Sequence, residues 1–291
     1  MAKQLGDLTG EQVIAALPKP RLTIVPRRSW VPTNLRELWE FRTLLARFAA
    51  RDLTLRYRQT ALGVTWVILQ PLLGAGVLSF VFGSVAGLPA PAGIPYFVFT
   101  LTGMVAWTTF SQITTRASGV LVGNAQLVSK VYFPRLILPL STVLSTMIDV
   151  GVSLGLLAVL MAVNEVAPGP AILLAPVWIL LLIAVSIGVG MGAGALMVRY
   201  RDVQYLLPVA IQFLLYASPV AYSLSDVPQS AQTWFKLNPL TGLLEGFRWS
   251  ILDTTRPSNG LIAYSSITTL VLLVLGLAFF TRMERQFADV I

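Results

Sequence analysis

Between Ala61 and Gly87 the chain carries no charged residue. About 20 predominantly apolar residues are enough for a helix to cross the hydrocarbon of a bilayer. The stretch just before it, Leu35 to Thr60, is rich in arginine. Leu38, Phe41, Leu45 and Phe48 recur there at spacings of three and four, with Leu44 beside them, which is one face of a helix. Arg36, Arg42 and Arg47 fall off that face, and Glu37 is an acidic exception near the start. Taken alone, such a helix suits either the surface of a soluble domain or the plane of a membrane interface. The charge-free run behind it decides for the interface, so a helix lies on the membrane and the chain then turns into it.

Composition agrees with a chain that lives in lipid. Hydrophobic residues make up 55% and charged residues 12%, against about 25% charged in soluble domains. The mean hydropathy is +0.74. Cysteine and histidine are both absent, which excludes disulfides, Cys/His zinc sites and histidine-based catalysis. The net charge of +8 tracks the cytoplasmic side of a membrane protein rather than nucleic acid. Residues 1–34 are more polar and hold no apolar signal-peptide core, and are expected to form a cytosolic tail.

Six hydrophobic spans can be counted: about Ala61–Gly87, Tyr96–Thr115, Leu136–Val163, Ile172–Val198, Val203–Tyr222 and Leu261–Thr281. With both termini inside, 18 of the 21 basic residues fall on the inner side, so the positive-inside rule fixes that orientation. The connection after the second span is expected to carry Arg116, Lys130 and Arg135. The segment Ser223–Gly260 is too long for a turn and too charged to span. It reads as one or two short re-entrant or interfacial helices, the alternative being an external loop resting on headgroups through its tryptophans.

Single residues carry competing readings. Asp149, near the middle of the third span, is an ionisable group where one is expensive. It is either functional, or an acid hydrogen-bonded to Ser145 or Ser153 or packed at a subunit contact. Gly188, Gly190, Gly192 and Gly194 lack a following lysine and sit in a span, so they offer small faces for close helix packing rather than a phosphate loop. Trp66, Phe99, Trp107, Phe110, Tyr216 and Tyr222 are candidates for a path on which sugar rings stack. Ordinary packing, lipid contact and interfacial anchoring are the rival roles. From its own residues, the polar–apolar mixture around Ala125–Lys130 reads equally as a handle for a soluble partner or as a helix lying on lipid.

Specific motifs go further. Arg51-Asp52, Arg56-Tyr57-Arg58, Leu62-Gly63, Trp66 and Gln70-Pro71-Leu72 resemble the membrane-entering segment of ABC-2-type permeases, in the subgroup that exports O-antigen, capsular polysaccharide and teichoic acid. The resemblance runs from about Leu35 to the C-terminus. It implies that Arg47, Arg51, Asp52, Arg56 and Arg58 belong to an interfacial helix at the substrate entrance. It also implies that Asn124, Leu127, Val128, Lys130, Phe133 and Arg135, with Pro134, form a coupling helix that docks on a cytosolic ATPase. Asn238-Pro239-Leu240 and Arg248 match the family pattern for re-entrant helices, and with Trp234 make candidates for an outer gate.

The expected architecture is therefore an all-α membrane protein of six transmembrane helices, with an N-terminal interfacial amphipathic helix and re-entrant or short helices between spans 5 and 6. Residues 1–34 are the tail, 35–60 the interfacial helix and 61–291 the six-span permease domain. The implied role is the permease subunit of an ATP-driven exporter of a lipid-linked polysaccharide in the cytoplasmic (inner) membrane. It has no catalytic residue, metal or cofactor of its own, ATP and Mg belonging to the partner ATPase dimer. Its other partners are a second copy of itself, the glycan substrate and membrane lipids, with no nucleic acid. A permease for drugs or small lipids is the alternative, which the motif from Arg51 to Trp66 argues against. A membrane-bound transferase or a secondary transporter would need more intramembrane ionisable groups than the sequence holds.

Overall fold

The computed structural model describes residues 35–58 and 65–284. The expected tail over 1–34, the motif residues Leu62 and Gly63, and Arg285 lie outside the described residues. Among the described residues all regular structure is helical, as expected of an all-α membrane protein. The helices are α1 (Leu35–Glu40), α2 (Arg42–Tyr57), α3 (Thr65–Ser79), α4 (Tyr96–Gly123), α5 (Ala125–Lys130), α6 (Ile137–Val163), α7 (Ala175–Arg199), α8 (Val203–Tyr216), α9 (Gln229–Leu237), α10 (Pro239–Leu252) and α11 (Asn259–Glu284).

Four described segments are long and apolar enough to cross a membrane: Thr65–Val85, Ile137–Val163, Pro170–Arg199 and Asn259–Glu284. The first comprises α3 and a π-helical turn over Phe80–Val85. The expected second and fifth spans behave differently. At 28 residues α4 is long enough, but it carries Thr100, Thr102, Thr108, Thr109, Ser111, Gln112, Thr114, Thr115, Arg116 and Ser118. A helix so polar is suited to the company of other helices, and 18 of its 28 residues are buried. Many of its hydroxyls are satisfied by the helix itself: Thr102 donates to the Val98 carbonyl, Thr109 to Val105 and Thr115 to Ser111. By contrast α8 has 14 residues, about 21 Å at 1.5 Å per residue, short of the ~30 Å hydrocarbon. The expected fifth span is thus helical only to Tyr216, and none of the residues of α8 is buried.

Lipid tails are as apolar as leucine, so helices in a membrane associate through close packing rather than hydrophobic burial. The glycines of α7 supply it on two faces. A methyl group at Gly190 or Gly194 would press on Thr114, Ala117 and Ser118 of α4, and one at Gly188 would meet the backbone of Leu272 and Leu273 on α11. Gly276 of α11 faces Gly188 in return, while Gly192 faces open space. Three of the four glycines therefore work as small contacts.

Three expectations about boundaries change. The interfacial segment is interrupted at Phe41, whose carbonyl accepts the first N–H bonds of α2 from Leu44 and Leu45. Arg116 is not in a connection: α4 continues two turns beyond it to Gly123. The segment before α11 does form two short helices, α9 and α10. Asn238 caps α10 by accepting from the Leu240 N–H at 3.0 Å, with Pro239 in the first turn. Twelve of the 14 residues of α10 are buried, so it is part of the bundle rather than a loop resting on its surface.

Candidate functional site

Arg116 is the one charged residue in the sequence of α4, and Asp149 the one charged residue in α6. A lone cation and a lone anion on neighbouring membrane helices have strong reason to meet, since either alone is costly at that depth. They do meet: both terminal nitrogens of Arg116 lie 3.3 Å from Asp149 Oδ2. Arg116 also donates to Thr146 Oγ1 at 2.9 Å and to Gln112 Oε1 at 2.8 Å.

A second arginine reaches the same carboxylate. Arg56, in the last turn of α2, pairs with Asp149 Oδ2, and Tyr57 beside it donates to Oδ1 at 2.7 Å. Burial first, and then the bond to Asp149, push the Tyr57 phenol above its ordinary value, so it stays protonated and remains a donor. The alternative that Asp149 leans on Ser145 or Ser153 is not what the carboxylate does. Ser153 Oγ donates to the Asp149 backbone carbonyl and Ser145 to that of Thr142. The partners of Asp149 come from 92, 93 and 33 residues away in the chain.

These groups line a cavity of about 200 Å³. Its polar side is Arg56, Tyr57, Gln112, Arg116 and Asp149; Trp66, Val67 and Pro71 of α3 form the other wall, with Gln70 among them.

The segments expected to form the entrance and the coupling helix are joined by contacts that the sequence did not foretell. Arg51 donates to Asn124 Oδ1 at 2.7 Å, and Phe48 packs on Phe133 with ring centroids 5.8 Å apart. The N–H₂ of Asn124 goes to the Val120 carbonyl, and Arg51 also pairs with Asp52 at 3.5 Å. Arg47 and Arg58 are exposed. Arg135 donates to the Glu284 carbonyl, tying the start of α6 to the end of α11. Within the coupling segment the expectation for Val128 and Phe133 needs correction. Both are buried in the chain's own core and present no face to a partner, and Leu127 is half-buried. The exposed side chains there are Lys130, Val131 and Tyr132.

The aromatic candidates divide. Trp66 is half-exposed and lines the cavity. Phe99, Trp107 and Phe110 are 1%, 5% and 3% exposed. The rings of Trp107 and Phe110 pack against each other tilted at 52°, with centroids 5.6 Å apart, within a core cluster that includes Leu157, Met161, Trp178 and Leu182. Their predicted place on a wet path is corrected accordingly: in this conformation they are the interior of one chain. Tyr216 is exposed, and its carbonyl accepts from Tyr222 at 2.6 Å. The Tyr222 ring sits between Phe82 and Phe235, at 5.6 and 6.1 Å.

Of the outer-gate candidates, Trp234 is exposed. Asn238, besides capping α10, donates to the Ala217 carbonyl and to Ser218 Oγ. Arg248 is fully buried. It donates to the carbonyls of Pro219, Val220 and Tyr222 at 2.8, 2.7 and 3.3 Å, pairs with Glu245 at 3.2 Å, and lies 4.1 Å from the Phe99 ring centroid. It clamps the segment after α8 rather than facing a passage.

The sequence profile of the ABC-2 type transporters matches residues 43–252, most of the chain and every element just described from α2 to α10. The chain belongs to the ABC-2 type transporter family. Three relatives of this ABC-2 chain are similar over nearly their whole length. Two are named O-antigen export system permease protein RfbA. The one from Klebsiella pneumoniae is 28% identical over 85% of this chain and 95% of the relative, and that from Myxococcus xanthus 28% over 88% and 98%. The polysialic acid transport protein KpsM of Escherichia coli is 27% identical over 80% and 91%. Within this ABC-2 chain the residues at the cavity that sequence reasoning missed are Gln112 and Arg116, the latter having been placed in a connection; Tyr57 and Gln70 were singled out as motif residues but given no role. For Arg116 the signal was available, as the single charge of a long helix opposite the single charge of the next.

Proposed function

We propose that this chain is the membrane-spanning subunit of an ATP-driven exporter that moves a lipid-linked polysaccharide from the cytoplasmic to the outer face of the inner membrane. The observation that carries the reading is the family match over 43–252, together with the names of relatives aligned along almost their full length. The geometry suits it. An Arg-rich helix, α2, ends against a charged cavity between α3, α4 and α6, where a headgroup arriving from the inner leaflet would first meet the bundle.

In this proposal both termini are cytoplasmic and the chain crosses six times, α4 and the short α8 serving as the second and fifth spans. A second copy completes the passage, with the unburied α8 among the surfaces left to receive it. A separate ATPase dimer, carrying ATP and Mg, docks on the α5 region through Lys130, Val131 and Tyr132. Its push passes to α2 through Arg51–Asn124 and Phe48–Phe133, and so to the cavity.

Deleting the gene and restoring it on a plasmid tests the function: surface glycan should vanish while lipid-linked glycan accumulates inside, and both should revert. Normal surface glycan in the deletion strain would refute export. For topology, Lys130→Cys and Gln229→Cys in this cysteine-free chain should be labelled from outside only at Gln229→Cys. For docking, Val131→Asp with Tyr132→Asp should cost most of the ATPase co-purification without lowering the amount of permease in the membrane.

A further inference from the structure

At the end of the bundle away from Arg56 and Arg116, stretches far apart in sequence enclose a cleft of about 610 Å³. They are the loop around Pro89, the turn over 223–226, one face of α9, Glu245 of α10 and the connection over 254–258. Small-ligand sites fall in a range of about 300–1,000 Å³. The walls are held by the chain's own bonds. Asp226 Oδ2 accepts from the Ser223 N–H at 2.9 Å, Glu245 Oε1 accepts from the Leu224 N–H at 3.1 Å, and the Gln232 side chain donates to the Val227 carbonyl at 3.0 Å. The charges on the cleft are not all matched. Glu245 is paired with Arg248 behind the wall. Neither Lys236 nor Arg256 has an ion-pair partner among the described residues, which leaves two cations to the one acid Asp226. Thr254 Oγ1 is buried with no hydrogen-bond partner, a rare condition that a bound polar group would relieve.

We propose that this outer cleft binds a saccharide bearing acidic groups, carboxylate or phosphate, with Lys236 and Arg256 holding the acid and Asp226 and Thr254 the hydroxyls. A guanidinium offers paired N–H donors to either acid, and an ammonium adds three more. The carboxylate and the threonine supply acceptors and a donor of the kind that sugar hydroxyls need. Pro89, Pro91 and Pro257 add small apolar patches for the C–H side of a ring.

A phospholipid headgroup fits this cleft less well. Of the spanning helices only the start of α11, at Leu261, lines it, so an acyl chain has no apolar track leading away. On α9, Gln232 and Lys236 share the face that lines the cleft. The exposed Trp234 lies two residues from each, about 200° around the helix at 3.6 residues per turn, so the apolar side of α9 points elsewhere. In the exporter reading the cleft retains an emerging acidic glycan on the outer side and opposes its slipping back. That role rests on the proposed function; saccharide binding itself does not.

Equilibrium binding to the purified full-length permease with its ATPase partner, in detergent micelles, tests the site. The probes are a hyaluronan tetrasaccharide for carboxylate and a phosphorylated maltotetraose for phosphate, with chitotetraose and maltotetraose as neutral counterparts. At least one acidic probe should bind about tenfold more tightly than its neutral counterpart, the usual worth of a charge-assisted hydrogen bond, and the tighter of the two names the acid. Lys236→Gln and Arg256→Gln should each weaken acidic binding several-fold and leave neutral binding alone. Arg199→Gln, which removes an exposed cation at the end of α7, should change neither. Thr254→Val should weaken every probe several-fold yet melt no lower than the parent, since the hydroxyl it removes has no partner in the chain. Acidic and neutral probes binding alike, or acidic affinity unchanged in both Lys236→Gln and Arg256→Gln, overturns the proposal. So does displacement of the acidic probe by phosphatidylglycerol but not by phosphatidylcholine, which would give the site to a lipid headgroup. Because binding is read without transport, acidic-probe binding beside unimpaired surface glycan in the deletion strain would refute export and leave the site standing. Lost surface glycan with no acidic preference would remove the site and leave export.

Discussion

Two arginine sites sit towards opposite ends of the bundle, and they are built differently. Arg248 is enclosed. Three carbonyls from the segment after α8, one carboxylate and one aromatic face surround it. The backbone of α4 comes so close there that a methyl at Gly103 would collide with the Val220 carbonyl and with Arg248 itself. Arg56 and Arg116 instead share one carboxylate at the edge of a cavity, each about a quarter exposed at the side chain. The first site has three of its acceptors fixed in the backbone; the second has one side-chain carboxylate for two cations. Charge held by backbone carbonyls has nothing to exchange with and serves the fold. Charge held by a single side chain can change partners, which is what a transport step needs.

The largest expected effect falls on the enclosed site. Arg248→Ala should destabilise the protein by about 3–5 kcal/mol, because it leaves Glu245 buried without its cation and three carbonyls without donors. Thermal unfolding in detergent reads this directly. Replacing Glu245 as well, as Arg248→Met with Glu245→Leu, should recover only part of the loss, since the orphaned carbonyls remain. Full recovery would mean that Arg248 is merely an ion-pair partner, and the contrast would collapse.

A smaller effect is expected from the approach that the clamp requires. Gly103→Val forces the segment at Val220 away from α4 and should cost about 1–3 kcal/mol. Melting should show this together with faster proteolysis between α8 and α9. At the other site, Arg116→Gln should unfold at a temperature closer to that of the parent than Arg248→Ala does, because its cavity admits water and Arg56 still answers Asp149. An Arg116→Gln protein as unstable as Arg248→Ala would make both sites structural.

How much of this was readable in advance varies from element to element. The charge-free run before Gly87 and the apolar length of α6, α7 and α11 are properties of single segments, and they read correctly. So do the two short helices after α8, because Asn238-Pro239 marks a helix start locally. The rotation of α4 was not readable: its apolar residues recur on every side among the threonines and serines, so spacing alone put Trp107 and Phe110 together without saying what they face. Arg116 was read as loop because a charge commonly ends a span. Its exemption depends on Asp149, 33 residues on, and on Arg56 at the end of another helix. Val128 failed for the same reason: its burial depends on core partners such as Phe48, 80 positions earlier in the sequence.

The finest test of the contrast is Tyr57→Phe. It removes one oxygen and leaves the ring, so packing at the end of α2 is kept. Lost is the 2.7 Å bond to Asp149 Oδ1, worth about 1.5–3 kcal/mol for a charged acceptor that nothing else satisfies. In an enclosed site such a loss appears almost wholly as lower stability, as nothing else can use the freed acceptor. In an exchangeable site the freed Oδ1 is turned towards a cavity that water can enter, so the melting temperature should move by little. What should change is the hold of α2 on α6: amide hydrogens in the last turn of α2, at Thr54 to Tyr57, should exchange faster while those of α6 around Asp149 do not. A clear drop in melting temperature with no change in exchange at the end of α2 would place Asp149 with Arg248, as a fixed strut rather than a partner able to let go.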